Sequence, residues 1–550
     1  MKYLWVIFVV IVLLTIINSF VKRRNFNKRK KLLNENWGNS KAGEYYDFSL
    51  IGRYFYNATA SIDNFYQVVS DKIRDDLNLD SLFQFIDRTS SKIGQQYLYY
   101  KLRTLNKDVE TLKKFDALVE LMSSDITLRQ FCQIELQKLN SPNVYYLEEI
   151  IHGKEIKKPH WAILVYLLSA GAVINICLAF KYPVALLLLL PIYLINMVIH
   201  YLNKRSLGNS FVTVSELLKS INIAENISQQ PSIKNYFDDL SFLKTVSKLK
   251  YKTHFIRFEQ RVGDDITLIL SFLTDLIKIM FNIEVLSYYS FIDSLNKAKK
   301  NIAQLFKYLG EIDAAISVAS LRKGTDAYCK PVFVDTKKVH YADISHPLIE
   351  KFVPNSLTLE SQSLLLTGSN MSGKTTFIRT IAINAIMAQT LHTCFAKEYV
   401  APFFRIYSSI RISDNLLESK SYYLQEVLAI KEFIEESNKE GNCLFILDEI
   451  FKGTNTLERI SGGKAILSYL NRDRHVVFVS THDIELTELL SKENYSLYHF
   501  EEHVKKNELT FDYKLKVGPL TTRNAIKILE LYKYPPEIIA DANATISHLS

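Results

Sequence analysis

Residues 364–376 read LLLTGSNMSGKTT. Leu364, Leu365 and Leu366 predict a buried strand. Gly368 to Gly373 predict a loop, and Lys374, Thr375 and Thr376 open a helix that continues FIRTIAINAIMAQ. Glycine, four residues, glycine, Lys and Thr form the pattern of a phosphate-binding loop. Gly368 and Gly373 let the backbone turn N–H groups inward on an anion, and the helix N-terminus adds partial positive charge. Ser369, Asn370, Met371, Ser372 and Thr376 complete the cradle. Lys374 is suited to the β- and γ-phosphates, and the Thr375 hydroxyl to Mg²⁺. A chance glycine-rich turn is the alternative, and it does not explain a strand before, a helix after and a Thr in the metal position.

Two later stretches supply what such a loop needs for hydrolysis. Residues 442–449, NCLFILDE, read as a buried strand ending in two acids. Asp448 is the candidate Mg²⁺ ligand, and Glu449 the group that orients and polarises an attacking water. A second buried strand, HVVFV from His475 to Val479, runs into Ser480-Thr481-His482-Asp483. His482 at the end of a core strand is placed to sense a γ-phosphate or the water, where a lone His is otherwise a structural residue. Between these stretches and the loop, SSIRISDNLLESKSYYLQEV (Ser408–Val427) puts Ser421 just before a helix. Ser421 is either an N-cap or a contact to a γ-phosphate in a second subunit, and the segment alone supports both.

The rest of the chain has a different character. Its 550 residues exceed one ordinary domain. Five cysteines, Cys132, Cys177, Cys329, Cys394 and Cys443, form no CxxC pair, which disfavours a zinc site or disulfide framework and suits a reducing compartment. The net charge is +9, but seven basic residues and no acid lie between Lys22 and Lys31, so the remainder is near neutral. Global charge is therefore poor evidence for nucleic-acid binding.

Tyr3–Val21 is uncharged and long enough to span a bilayer. A cleaved signal peptide is the alternative, but only Lys2 precedes the run and no small-residue cleavage site follows. The basic segment behind it places the N-terminus outside and the following chain in the cytoplasm. Two more apolar runs, Trp161–Phe180 and Val184–Tyr201, are joined by Lys181-Tyr182-Pro183 and flanked by Lys154, Lys157, Lys158, Lys204 and Arg205. They predict a transmembrane hairpin with both ends inside, a buried soluble hairpin being the alternative. The segments between are helical in pattern. The expected organisation is a transmembrane anchor (1–21), a basic juxtamembrane segment (22–34), the first part of a helical core domain (35–158), the hairpin (159–203), a helical lever domain (204–322) and an α/β ATPase domain (323–550). This predicts a multi-pass protein of the cell (inner) membrane with its nucleotide site facing cytosolic ATP.

Together these segments resemble the MutS family of DNA mismatch-repair ATPases, a branch of the ABC-type P-loop ATPases. The family's TGPNMGGKST corresponds to TGSNMSGKTT (Thr367–Thr376), with the characteristic Asn370-Met371 pair. Its DEIGRGT corresponds to DEIFKGT (Asp448–Thr454), its THY/F segment to STHD, and its segment ending GRSTFMVEM to SKSYYLQEV. Upstream, FIDRTSSKIGQQYLYYKLRT (Phe85–Thr104), LGEIDAAISVA (Leu309–Ala319), SHPLIE (Ser345–Glu350) and VPN (Val353–Asn355) are also similar. The resemblance implies an ATPase using ATP and Mg²⁺, and a homodimer with two composite sites whose C-terminal segment packs near the dimer interface. Ser421 then acts across that interface, and Glu426 takes the family's acidic position. DNA is implied as a partner, and mismatch recognition is not: only about sixty residues lie between the anchor and the core segment, too few for the mismatch-reading and connector domains. No family counterpart matches the apolar spans. Three functions are therefore carried forward: a membrane-tethered DNA clamp with contacts among Lys297, Lys299 and Lys300, an ATP-driven clamp on a protein or membrane partner, and a scaffold with a degenerate ATPase. Intact Lys374, Asp448 and Glu449 disfavour the last.

Overall fold

The computed structural model describes residues 20–549 apart from 22, 25, 42, 61–64, 156, 253–275, 370, 412–421, 452–453, 473, 506–507 and 521–524. It is a mixed α/β protein with a helical N-terminal part and a sheet-built C-terminal part. The helical part includes α1 (Asp71–Leu77), α2 (Lys92–Arg103), α3 (Val109–Ser124), α4 (Ala162–Ala179), α5 (Leu189–Ser228) and α6 (Ile283–Lys323).

Helices α2 and α6 meet through two glycines. A Cβ at Gly310 would lie 2.5 Å from the Tyr97 Cβ, and one at Gly94 would lie 2.1 Å from Asp313 Oδ2. Asp313 is fully buried on α6 and accepts hydrogen bonds from Ser90 N (2.7 Å), Ser91 N (2.8 Å) and Ser91 Oγ (2.6 Å). Ser91 in turn caps α2 by accepting from Gly94 N at 2.9 Å. The carboxylate of one helix thus satisfies the orphan N–H groups at the start of the other, which requires the close approach.

The C-terminal part contains β1 (Val332–Phe333), β2 (Val339–Ile344), β3 (Asn355–Leu359), β4 (Ser363–Thr367), β5 (Glu398–Ala401), β6 (Phe404–Ser409), β7 (Asn442–Asp448), β8 (Val476–Ser480), β9 (Tyr495–His499) and β10 (Lys516–Val517). A six-stranded sheet has the order β10-β9-β4-β8-β7-β6, parallel from β9 to β6 with β10 antiparallel at one edge. A four-stranded sheet has the order β1-β5-β2-β3. Helices α7 (Lys374–Leu391), α8 (Tyr422–Ser437) and α9 (Thr456–Leu470) connect the strands of the larger sheet. Every residue of β4 and β8 is buried, as expected for central parallel strands covered on both faces. The open edge of strand β6 is buried and met by side chains: Gln67 donates to Ile406 O and accepts from Ile406 N, both at 2.7 Å, and Gln389 Oε1 accepts from Phe404 N at 2.6 Å.

Buried polar contacts join the helical and sheet parts. Asp76 of α1 accepts from Ser408 Oγ (2.7 Å) and Arg411 N (2.8 Å) at the end of β6. Arg322, at the end of α6, pairs with Asp116 of α3 at 2.7 Å and donates to His392 O and Thr393 Oγ1 just after α7. Burial alone would raise the Asp116 carboxyl. Hydrogen bonds from His392 and Lys330 and the Arg322 charge outweigh burial and hold it well below the usual carboxylate range. A depressed carboxyl contributes stability above its unfolded value, near 4, that is lost as pH falls toward the folded value. Asp116→Asn is expected to destabilise the protein at pH 7 and to narrow the gap from wild type as pH drops below about 4. Thermal unfolding followed from pH 7 to pH 3 checks this.

Two segments, Ala162–Ala179 and Pro183–Leu202, are long and apolar enough to cross a membrane by length and composition. They keep large apolar side chains outside the fold, with Leu167 at 64%, Leu187 at 74% and Leu190 at 64% exposure. The span expected over Tyr3–Val21 lies outside the described residues except for its last two positions, so two segments rather than three pass this test among the described residues. The second apolar run continues without a break into α5, so the boundary expected after residue 203 falls inside a helix.

Candidate functional site

The loop 368–373 leaves the buried strand β4 and enters α7 at the carboxyl edge of the six-stranded sheet. From β4 the chain crosses to the β6 edge, whereas from β8 it returns past β4 to β9. The carboxyl ends of β4 and β8 therefore flank a switch in chain direction, where open α/β sheets place ligands. Gly368 and Gly373 adopt φ of 149° and 104°. A Cβ at Gly368 would lie 2.8 Å from both Phe500 O and Ser372 Oγ, so conformation and space both require glycine there. Ser372 Oγ closes the loop by donating to Ser369 O at 2.8 Å.

Five of the expected side chains converge on this loop. Lys374 is buried, and its Nζ donates to Gly368 O (2.7 Å) and Ser369 O (3.0 Å). Thr375 Oγ1 donates to Asp448 Oδ2 at 2.7 Å, and Ser480 Oγ donates to Asp448 Oδ1. His482 Nε2 sits 3.2 Å from Lys374 Nζ and 3.3 Å from Glu449 Oε1. With Nε2 bare it accepts from the lysine, and with Nε2 protonated it donates to the carboxylate.

Glu449 follows β7 at φ 61°, a left-handed position that costs a non-glycine residue of order 1–3 kcal/mol. Its N–H donates to Ser480 O at 2.8 Å, which pins the turn to the neighbouring strand. Glu426, buried in the first turns of α8, accepts from Phe451 N and holds the same turn from the other side. Arg459 of α9 grips Asp483, next to His482, through two bonds of 2.9 and 2.6 Å. Met371 is exposed on the loop, and Thr376 faces the adjacent cavity. Asn370 and Ser421 lie outside the described residues. Among the lever lysines, Lys299 Nζ donates to Gly153 O at 2.8 Å, whereas Lys297 and Lys300 are exposed.

A neighbouring feature was not legible in the sequence. A cavity of about 390 Å³ opens beside Lys374, Thr375 and Thr376, with Phe352, Phe500 and Tyr513 on its other side. Phe352 lies between SHPLIE and VPN, and Tyr513 lies in FDYKLK (Phe511–Lys516), so the aromatic residues of these stretches were the available signal.

The fold and site together define a mixed α/β protein whose sheet-built C-terminal part carries a glycine-bounded loop with converging Lys, Thr, Asp, Glu and His. Residues 364–550 match the family MutS domain V. Proteins named DNA mismatch repair protein MutS from Staphylococcus aureus strains JH9 and Newman are 30% identical over 276 residues, covering 48% of this chain and 31% of each relative. The sheet-built C-terminal part thus carries a MutS domain V, and the chain spans about a third of the length of the curated relatives it matches.

Proposed function

We propose that the chain binds Mg-ATP at the 368–376 loop and hydrolyses it. The observation that carries this is the Thr375–Asp448 contact beside a glycine-bounded loop. A hydroxyl and a carboxylate oxygen converge where a hard cation takes oxygen ligands. Among the described residues no three His, Cys, Asp or Glu side chains are grouped to hold a metal. That fits Mg²⁺, which is bound by one or two carboxylates plus phosphates and water rather than by a protein cage. When bound it would neutralise charge on the phosphates. Lys374 is the counter-charge for the phosphate oxygens, and Glu449 accepts a proton from the attacking water. His482 couples the two through its shared nitrogen.

Phe352 and Tyr513 offer aromatic faces for the base. Phe352→Ala is expected to raise the KM for ATP about tenfold with little change in kcat, consistent with about 1–3 kcal/mol for a base–aromatic stack. Steady-state kinetics with ATP varied check it.

The exposed apolar segments support insertion of the 159–203 hairpin in a membrane, with both ends and the nucleotide site on the cytoplasmic side. The family resemblance supports a homodimer in which Ser421 acts across the interface, and an ATP-driven lever. Two partners remain distinct readings. A DNA clamp follows from the relatives and from exposed Lys297 and Lys300, and a protein or membrane partner follows from the hairpin. Phosphate release by the detergent-solubilised chain, with and without homoduplex and mismatched DNA at low salt, separates them. Stimulation by duplex DNA supports the clamp on DNA. Turnover indifferent to DNA, with no DNA bound, supports the other partner class.

A further inference from the structure

Cys329 and Cys394 are far apart in the chain and adjacent in the fold. They form an isolated antiparallel bridge outside both sheets. Cys329 N donates to Cys394 O and Cys394 N donates to Cys329 O, each at 2.9 Å. Such a hydrogen-bonded antiparallel pair has Cα atoms about 5.5 Å apart. A disulfide spans Cα separations of about 4.4–6.8 Å. The two thiols lie within hydrogen-bonding reach of each other, and both are free.

Their environments differ in the way a thiol–disulfide couple needs. Cys329 is half-buried and reachable from solvent, whereas Cys394 is fully buried against α7, its Sγ 3.8 Å from Asn384 O. The hydrogen bond from Cys394 holds the Cys329 thiol below its ordinary range, and burial pushes Cys394 well above it. The half-buried Cys329 sulfur is therefore the better nucleophile, and the fully buried Cys394 sulfur is shielded until its neighbour has reacted.

The location gives the pair a consequence. Cys329 lies in the connection that follows α6, six residues beyond its end at Lys323. Cys394 follows α7, the helix opened by Lys374 and Thr375. The polar clamp of Arg322 on Thr393 and His392 sits beside them. A covalent link here ties the long helix of the helical part to the helix that carries the loop.

We propose that Cys329 and Cys394 form a reversible disulfide with low-molecular-weight disulfides, a redox modification site at the junction of α6 and α7. The Cys329 thiolate attacks one sulfur of the small disulfide, and that bond breaks to release one small thiolate. The Cys394 thiol then loses its proton to solvent and attacks Cys329 Sγ, expelling the second small thiolate. Two protein thiols are oxidised to one disulfide, and one small disulfide is reduced to two thiols.

The test uses the full-length, detergent-solubilised chain carrying Cys177→Ser, which removes the exposed thiol on α4. The protein is incubated with oxidised glutathione, alkylated, and mapped by mass spectrometry. The expected result is one linked peptide pair carrying Cys329 and Cys394, two fewer alkylated thiols, and full reversal by dithiothreitol. With Cys394→Ser added, one glutathione remains on Cys329. Accumulation of glutathione on Cys329 with Cys394 still present, or absence of any reaction at Cys329, overturns the proposal.

Discussion

Glu449→Gln is expected to lower ATP turnover by about a hundredfold to ten-thousandfold, the range removed with a positioned general base, while Mg-ATP still binds. The substitution keeps the volume and removes the charge. Backbone strain and hydrogen bonding both fix where that charge sits. The residue holds φ 61°, its N–H is bound to Ser480 O, and its Oε1 lies 3.3 Å from His482 Nε2. A glutamine cannot accept the proton of an attacking water. On the proposed function, Mg-ATP is held by Lys374, Thr375 and Asp448, which the change leaves in place. Phosphate release and equilibrium nucleotide binding, measured on the same preparation, separate the two effects. Equal turnover in the variant would remove Glu449 from the chemistry and return the site to a binding role.

Gly94→Ala is expected to destabilise the helical part strongly. The added methyl would lie 2.1 Å from Asp313 Oδ2 and 2.5 Å from its Cγ. Either α2 and α6 separate, or the carboxylate leaves Ser90 and Ser91. Overpacking costs about 1–3 kcal/mol, and stranding a buried carboxylate costs at least as much again. Burial already pushes the Asp313 carboxyl up to about 6, so it has little capacity to lose donors. Gly171→Ala on α4, where a Cβ meets nothing within 4 Å, is the control expected to change stability little. The comparison is made by thermal unfolding and limited proteolysis of the full chain. Equal behaviour of the two variants would show that α2 and α6 tolerate separation.

The parts of this picture that were legible in sequence share a property: they are local. Leu364 to Leu366 followed by a glycine-bounded loop and a Lys-Thr helix start specify strand, loop and helix within a few residues, and the strand and helix lie where that pattern puts them. The apolar runs near residues 161–201 are visible from composition alone. What was not legible depends on pairs distant in the chain. Glu426 against Phe451, Gly94 against Asp313 and Cys329 against Cys394 are set by how helices and strands pack, and single residues carry no mark of their future neighbour. The cavity faced by Phe352 and Tyr513 arises in the same way, from two loops that meet only once the sheet has formed. The continuation of the second apolar run into α5 shows a different limit. A change from apolar to polar residues marks a change of environment, and a helix can cross that change unbroken.

The most direct measurement is Mg²⁺-dependent phosphate release from ATP by the purified full-length chain in detergent, wild type beside Lys374→Ala. Mg-ATP hydrolysis at the 368–376 loop predicts turnover that requires Mg²⁺ and disappears, together with nucleotide binding, in the variant. A folded wild-type protein that binds no Mg-ATP, or a variant that turns over as fast as wild type, would contradict it.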